Sequence, residues 1–266
     1  MDKKDYNWRR KSDFRIFKEI FLWSAGTALF IYCWNIISDL TMWPFVYDGA
    51  EQAVKLLSRM FPPNWSYFSE LLIPIWDTIT IATLGTMAAL VFAVFVAFLA
   101  AKNTTPHPLL RQLALLIIVT SRSVNSLIWA IILVIILGPG VLAGVIAISF
   151  RSIGFVSKLL YESIEEINKD QVEAVTATGA SKFSTLIFSV IPQVFPTFVG
   201  TAVYRWDINI RESTVVGLVG AGGIGLQLNE AILGLKWPDA FIIFIMILTL
   251  VFLSEISSAR IRKALI

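Results

Sequence analysis

The sequence predicts an all-α, polytopic membrane protein with about six transmembrane helices. Apolar residues make up 56% of the 266 residues and charged residues only 15%, with a mean hydropathy of +0.73. A soluble domain carries about 25% charged residues, so this composition indicates a lipid surrounding. In addition, four long segments contain no charged residue, namely residues 20–38, 78–101, 123–150 and 183–204. Each approaches or exceeds the roughly 20 residues that a helix needs to cross the hydrocarbon layer.

The first span is predicted at residues 19–38, directly after a polar tail. This tail, residues 1–18, carries the basic residues Lys3, Lys4, Arg9, Arg10, Lys11, Arg15 and Lys18. A basic cluster beside a first span remains in the cytoplasm. We therefore predict a cytoplasmic tail over residues 1–18 and a first helix that runs outward.

An external loop is predicted between the first and second spans. Residues 39–75 contain Trp43, Trp65 and the pair Pro62-Pro63, and tryptophan is enriched at membrane–water interfaces. Residues 50–61 alternate apolar and charged side chains at helical spacing, which predicts an amphipathic helix lying at the interface. Residues 19–75 thus form one predicted region, made of the first span and its external loop.

The remaining spans form a predicted core over residues 76–260. The second helix covers residues 76–101 and returns inward, and the third runs outward to the breaker Gly138-Pro139-Gly140. The fourth helix comes back to about Tyr161, and a polar cytoplasmic loop follows at residues 162–184.

The fifth helix is predicted to begin near Thr185, and the sixth to cover residues 239–257. Arg260, Arg262 and Lys263 follow the last span, which predicts a cytoplasmic tail at residues 261–266. Both termini are therefore expected in the cytoplasm.

The cytoplasmic loop contains a polar helical stretch, interrupted by a glycine, over residues 173–181. A short helix of this kind can dock into a cleft on a soluble partner, because Ala174, Ala177 and Gly179 permit close approach. Glu173 would add a charged contact. The residues alone leave an ordinary cytoplasmic loop equally open.

Ionisable residues within predicted spans are the candidates for a translocation path. Arg205, Asp207 and Arg211 lie in the fifth helix and Arg122 in the third, and such residues usually face a partner or an aqueous path. Asp207 and Arg211 have the i, i+4 spacing of a helical ion pair. Arginine binds oxyanions through several donors at once, so a path for an anion and structural pairing both remain open.

The segment Gly220-x-Gly222-x-x-Gly225 has the letters of a dinucleotide-binding fingerprint, but that fingerprint requires a βαβ unit. Among membrane spans these glycines predict a broken or re-entrant segment that packs closely against its neighbours. The sequence has no phosphate-binding P-loop motif, one histidine and one cysteine. We predict no catalytic residue, metal site or cofactor in this chain.

Residues 173–181 resemble the coupling motif of permeases in binding-protein-dependent ABC importers, which reads Glu-Ala-Ala, a later Gly and Ile-x-Leu-Pro. The matching residues are Glu173, Ala174, Gly179, Ile191 and Pro192, while Val175 replaces the second alanine. Four further segments resemble the phosphonate and phosphite permeases of this class, at residues 60–66, 101–108, 204–211 and 216–225.

The resemblance implies a type I permease fold and a multi-pass location in the bacterial inner membrane. It implies a separate ATPase dimer that holds ATP and magnesium, a periplasmic or extracellular binding protein, and a second permease copy, either identical or a sister chain. Residues 173–181 would then form a helix that transmits ATP-driven closure. Membrane lipid is the remaining expected contact, and no contact with nucleic acid is expected. The cargo that the resemblance implies is a phosphorus oxyanion.

One segment departs from the family pattern. The family usually has Arg-x-Ile-Pro in the third helix, whereas this chain has Arg122-Ser123-Val124-Asn125. Because proline kinks helices, its absence predicts the loss of a kink at this point.

Two other classes of function are weighed against the importer. A self-contained channel or secondary transporter for small anions would usually show two pseudo-symmetric halves, and none is evident in the sequence. An integral-membrane enzyme would need a nucleophile, an acid–base pair or a metal cluster at membrane depth, for which only the scattered charges are available.

Overall fold

The computed structural model describes residues 13–265, and they contain helices, turns and loops but no strand. The all-α prediction is therefore confirmed for this part of the chain. Lys3, Lys4, Arg9, Arg10 and Lys11 of the predicted cytoplasmic tail, and the last residue of the carboxyl-terminal tail, lie outside the described residues. By its internal contacts the chain divides into two units, Met1–Ser58 and Arg59–Ile266.

The first unit begins with helix α1, Asp13–Leu40, which starts six residues before the span predicted from residue 19. A short helix α2, Trp43–Tyr47, begins with proline in its first turn, and α3 covers Gly49–Met60. The last of these contains an i, i+4 ion pair between Glu51 and Lys55, with 2.6 Å between the charged atoms. The amphipathic helix predicted at residues 50–61 is present as α3.

The second unit is built from long helices joined by short connections. A 3-10 turn, Trp65–Leu71, leads into α4, Leu72–Ala100. The helices that follow are α5 Pro108–Ser123, α6 Ser126–Leu137, α7 Val141–Glu165, α8 Lys169–Ala177, α9 Lys182–Thr185, a π turn Leu186–Val190, α10 Ile191–Gly217, α11 Ile224–Leu233 and α12 Trp237–Leu265.

Five helical segments among the described residues are long and apolar enough to cross a membrane, and a sixth is obtained if one bent pair counts as a single span. The prediction of about six spans is confirmed. The five straight candidates are Phe14–Leu40, Trp65–Ala100, Val141–Glu165, Lys182–Gly217 and Trp237–Ala264.

The bent pair formed by α5 and α6 corrects the prediction that the third helix has no kink. Helices α5 and α6 meet at an angle of 91°, so the chain breaks sharply although no proline is present. Val124 and Asn125 adopt extended backbone angles, and the Asn125 side chain accepts a hydrogen bond from the Leu127 amide at 3.2 Å. Asparagine is among the preferred residues for capping a helix amino terminus. The cap at Asn125 thus begins a new helix where the family pattern has proline, and the predicted loss of the kink is wrong.

Helix α7 packs against four helices of the second unit, namely α4, α5, α6 and α10. Small residues allow this close approach, since an added Cβ on Gly154 would lie 2.6 Å from the Ser121 hydroxyl and 2.8 Å from a carbonyl of α5. The Ser149 hydroxyl donates to the Gly85 carbonyl of α4 at 3.0 Å. Small and hydroxylated residues at helix contacts are typical of membrane bundles.

The glycine-rich segment at residues 217–225 folds the chain back between α10 and α11. A Cβ on Gly225 would lie only 2.0 Å from the Thr214 carbonyl oxygen, and one on Gly217 would lie 2.6 Å from the Gly222 oxygen. Gly222 also has a positive φ of 83°, which favours glycine. The close packing predicted for these glycines is confirmed, and the described chain provides no βαβ unit for a dinucleotide.

The orientation of the chain is predicted from its basic ends, and it can be tested directly. We expect a reporter fused after the carboxyl terminus to signal from the cytoplasm, and one inserted within residues 39–75 to signal from the opposite side. A pair of alkaline phosphatase and fluorescent protein fusions measures this sidedness. Equal sidedness at the two positions would contradict the six-span topology.

Candidate functional site

A charged cluster lies along α10 in the interior of the second unit. Arg205 and Asp207 are only 2% and 4% exposed, and Asn209 is completely buried. Because side chains three, four and seven residues apart share a helix face, α10 presents two polar stripes to its neighbours. One contains Asp207 and Arg211, and the other contains Arg205, Asn209 and Glu212.

The predicted pair between Asp207 and Arg211 is present. The Arg211 guanidinium donates through Nη2 to Asp207 Oδ2, and the second carboxylate oxygen accepts from the Ser254 hydroxyl of α12 at 2.7 Å. The two partners differ in burial, because the Arg211 side chain is 46% exposed and that of Asp207 only 5%. The pair therefore joins a buried acid to a base at the edge of the helix.

Arg205 is held on several sides within the chain. Its Nε donates to the Ser152 hydroxyl of α7 at 2.9 Å, and its Nη2 lies 3.3 Å from Glu212 Oε2. The guanidinium also lies over the Phe155 ring, 5.1 Å from the ring centre, where a cation–π interaction adds stabilisation.

Glu212 also contacts a second arginine, Arg151, which belongs to α7. Its Oε1 lies 3.0 Å from Arg151 Nη1, which also lies 3.4 Å from the Ser126 hydroxyl at the start of α6. One carboxylate is thus shared by Arg151 and Arg205, with one oxygen for each.

Neutral residues complete the polar interior, and the sequence did not identify Thr83, Thr86 and Ser152 among them. The Asn209 amide donates to the Thr86 hydroxyl of α4 at 2.8 Å and to Ser152 at 3.0 Å. Trp206 donates from its indole nitrogen to the Thr83 hydroxyl at 3.1 Å. Serine and threonine are common throughout membrane helices, so the sequence carries no signal that singles these partners out.

Arg122, the remaining predicted path residue, lies elsewhere in the unit. It is exposed at the end of α5 and lines a cavity of about 360 Å³ together with Lys158 and Tyr161 of α7. Within the described residues it forms no ion pair with Asp207. The structure therefore brings together Arg205, Asp207 and Arg211 on α10, but places Arg122 in a separate cavity.

The predicted coupling residues lie on and just after α8. Asn168 caps this helix, since its side chain accepts from the Asp170 amide at 2.9 Å. The helix ends before Gly179, which has a φ of +80° and open space around the position of a Cβ. All the predicted contact residues are exposed, namely Glu173, Ala174, Ala177 and Gly179.

Hydrogen bonds connect the α8 region to the spans. The backbone N–H of Asn168 donates to Gln193 Oε1 of α10 at 2.9 Å, and the Gln193 side-chain nitrogen donates to the Ser189 carbonyl at 2.8 Å. On α7, Glu165 accepts from the Lys102 amide at 2.9 Å. An exposed helix is thus anchored at its amino end to the helix that carries the charged cluster.

Comparison with known proteins shows similarity in sequence and in fold. Residues 90–266 match the family described as the binding-protein-dependent transport system inner membrane component. The chain is 38% identical over 237 residues to the phosphite transport system permease protein PtxC of Stutzerimonas stutzeri, covering 89% of this chain and 85% of that protein.

A second relative is the phosphate-import permease protein PhnE of Mycolicibacterium smegmatis, 41% identical over 219 residues. That alignment covers 82% of this chain and 41% of the longer relative. Among solved structures, the inward-facing MetNI methionine ABC transporter has a chain that superimposes with a TM-score of 0.64 at 19% identity, over 76% of this chain and 99% of that one. At this identity the similarity concerns the fold.

Proposed function

The chain belongs to the family of binding-protein-dependent transport system inner membrane components, and on this premise we propose that its cargo is a phosphorus oxyanion. It is the permease subunit of an importer in the bacterial inner membrane, and it is not an enzyme. The cargo class comprises phosphite, phosphonates and phosphate. The observation that carries it is the similarity, along most of the chain, to permeases named for phosphite and phosphate.

The charged cluster suits such a cargo chemically. It contains the guanidinium groups of Arg151, Arg205 and Arg211 but only the carboxylates of Asp207 and Glu212, which leaves one positive charge in excess. Guanidinium groups bind tetrahedral oxyanions through several donors and keep their charge. We assign Arg205 to the wall of the path, Asp207 and Arg211 to a structural pair on the same helix, and Arg122 to its separate cavity.

The energy source belongs to a partner. We propose that an ATPase dimer supplies ATP and magnesium, that this chain binds no cofactor, and that a second permease copy and an external binding protein complete the complex. Within it α8 would dock on the ATPase through Glu173, Ala174 and Ala177. The bond between Asn168 and Gln193 would pass the movement of α8 to α10.

Competition between anions tests the cargo class. We expect vesicles that contain the complete importer to take up radiolabelled phosphite, and excess unlabelled phosphonate or phosphate to reduce this uptake several-fold. Sulfate serves as a control of similar size with a different central atom, and methionine serves as a control of unrelated chemistry. Uptake that methionine abolishes and phosphorus oxyanions leave unchanged would overturn the assignment.

Docking of α8 is tested by crosslinking. Cys33 is the only cysteine in the sequence, so a Cys33→Ser background leaves a single thiol when Ala177→Cys is introduced. We expect this thiol to form a disulfide with a cysteine placed in the groove of the ATPase, and a matched Ala50→Cys variant to form none. No crosslink from Ala177→Cys at any groove position would contradict the docking.

A further inference from the structure

The carboxylate of Glu212 occupies the position that an anion would take beside Arg151. We propose that Glu212 is an internal counter-ion, and that the translocated phosphorus oxyanion displaces it from Arg151. This inference rests on the proposed cargo class. It concerns the counter-ion triad, which we define as Arg151, Arg205 and Glu212.

The two arginines of the triad differ in their freedom to change partners. Arg205 is 3% exposed at its side chain, and it has Ser152 and the Phe155 ring as further partners. The Arg151 side chain is 33% exposed, and apart from Glu212 it makes a long hydrogen bond of 3.4 Å to the Ser126 hydroxyl. Separating Glu212 from Arg205 would strand a buried charge, whereas Arg151 can turn to an incoming anion at its exposed side.

The charge of the triad makes this exchange favourable. Two guanidinium groups and one carboxylate leave a net positive charge in a weakly polar surrounding. A phosphorus oxyanion that reaches Arg151 neutralises this excess, while Glu212 stays with Arg205 through its Oε2. When no anion is bound, Glu212 pairs with Arg151. Because the anion must compete with this carboxylate, its binding is weakened enough for the anion to leave again.

A second outcome of the same geometry concerns release. Because the Glu212 carboxylate lies beside the Arg151 guanidinium, the two can form their ion pair again as soon as the anion leaves. The site therefore needs no other group to restore its resting state, and removal of the carboxylate should make binding tighter and turnover slower.

Two variants test the exchange in the complete permease–ATPase complex. Glu212→Gln retains the shape of the side chain and removes its charge, so phosphite should bind at least ten-fold more tightly in calorimetric titration. Arg151→Gln keeps the Arg205–Glu212 contact and should weaken phosphite binding at least ten-fold. Glu51→Gln and Arg59→Gln make the same changes on α3 and should leave the affinity unchanged.

Glu212→Asp covers the case in which Glu212→Gln does not assemble. The aspartate side chain is one methylene shorter, which draws the carboxylate back towards α10, where Arg205 lies, and away from Arg151 on α7, so phosphite should again bind more tightly. Unchanged affinity in Arg151→Gln would overturn the inference, as would weaker binding in both Glu212 variants. Uptake by the wild-type importer separates the two proposals. If it takes up none of phosphite, phosphonate and phosphate, the cargo class and this inference are overturned together, whereas uptake with an Arg151-independent affinity overturns the inference alone.

Discussion

Replacing Gly179 by tryptophan is expected to abolish ATP-driven uptake while the permease still inserts and folds. Gly179 is exposed, and apart from its neighbours in the chain no atom lies within 4 Å of the position where a Cβ would be placed, so the larger side chain does not disturb the spans. It would project from the end of α8, where we propose that the ATPase docks. The φ of +80° adds about 1–2 kcal/mol of local strain for an L-residue.

Two control variants separate bulk from backbone strain at this position. Gly179→Asn introduces a small residue that tolerates the left-handed conformation, and it should keep most of the uptake. Gly49→Trp places the same large side chain at another open glycine, at the start of α3, and should leave uptake unchanged. Uptake is measured in vesicles and insertion by membrane fractionation. Wild-type uptake by Gly179→Trp would refute the docking of this segment.

Removing Arg211 is expected to destabilise the permease more than removing its partner Asp207. The Arg211→Gln variant leaves the buried Asp207 carboxylate without its guanidinium, and a buried charge stranded in this way costs up to about 3–5 kcal/mol. Asp207→Asn instead leaves Arg211, whose side chain is 46% exposed and can turn away on its long stem. Thermal unfolding of the purified permease measures the difference.

The double variant distinguishes a structural pair from a residue that meets the anion. If the pair is structural, as we propose, Asp207→Asn with Arg211→Gln should recover much of the stability lost in Arg211→Gln, and uptake should recover with it. A stable double variant with slow uptake would instead place Arg211 in contact with the cargo. If the double variant is no more stable than Arg211→Gln, the interaction between the two side chains is not what holds this part of α10.

Patterns within one helix were predictable from the sequence. The i, i+4 spacing of Asp207 and Arg211 predicted a pair that the structure contains, because helix geometry alone decides which side chains meet. The exposed helix before Gly179 and the close glycine contacts near Gly225 were predictable for the same reason, since each depends on local backbone geometry.

Contacts between helices were not predictable. Arg205 contacts Ser152 and shares Glu212 of its own helix with Arg151. Ser152 and Arg151 both belong to α7, more than 50 residues earlier in the sequence. Only packing decides which of many serines lies opposite a given arginine. The sharp turn before α6 differs, because it does not depend on proline: the Asn125 side chain caps a new helix there, and this cap can form whether or not a proline is present.

The dependence of uptake on ATP tests the account most directly. Vesicles containing this permease, its ATPase and the phosphite-loaded binding protein should accumulate phosphite against a concentration gradient when ATP is present, and should take up none when ATP is replaced by a non-hydrolysable analogue. Equal phosphite uptake without the ATPase, or uptake that only follows the gradient, would contradict the account and favour a self-contained channel or secondary transporter.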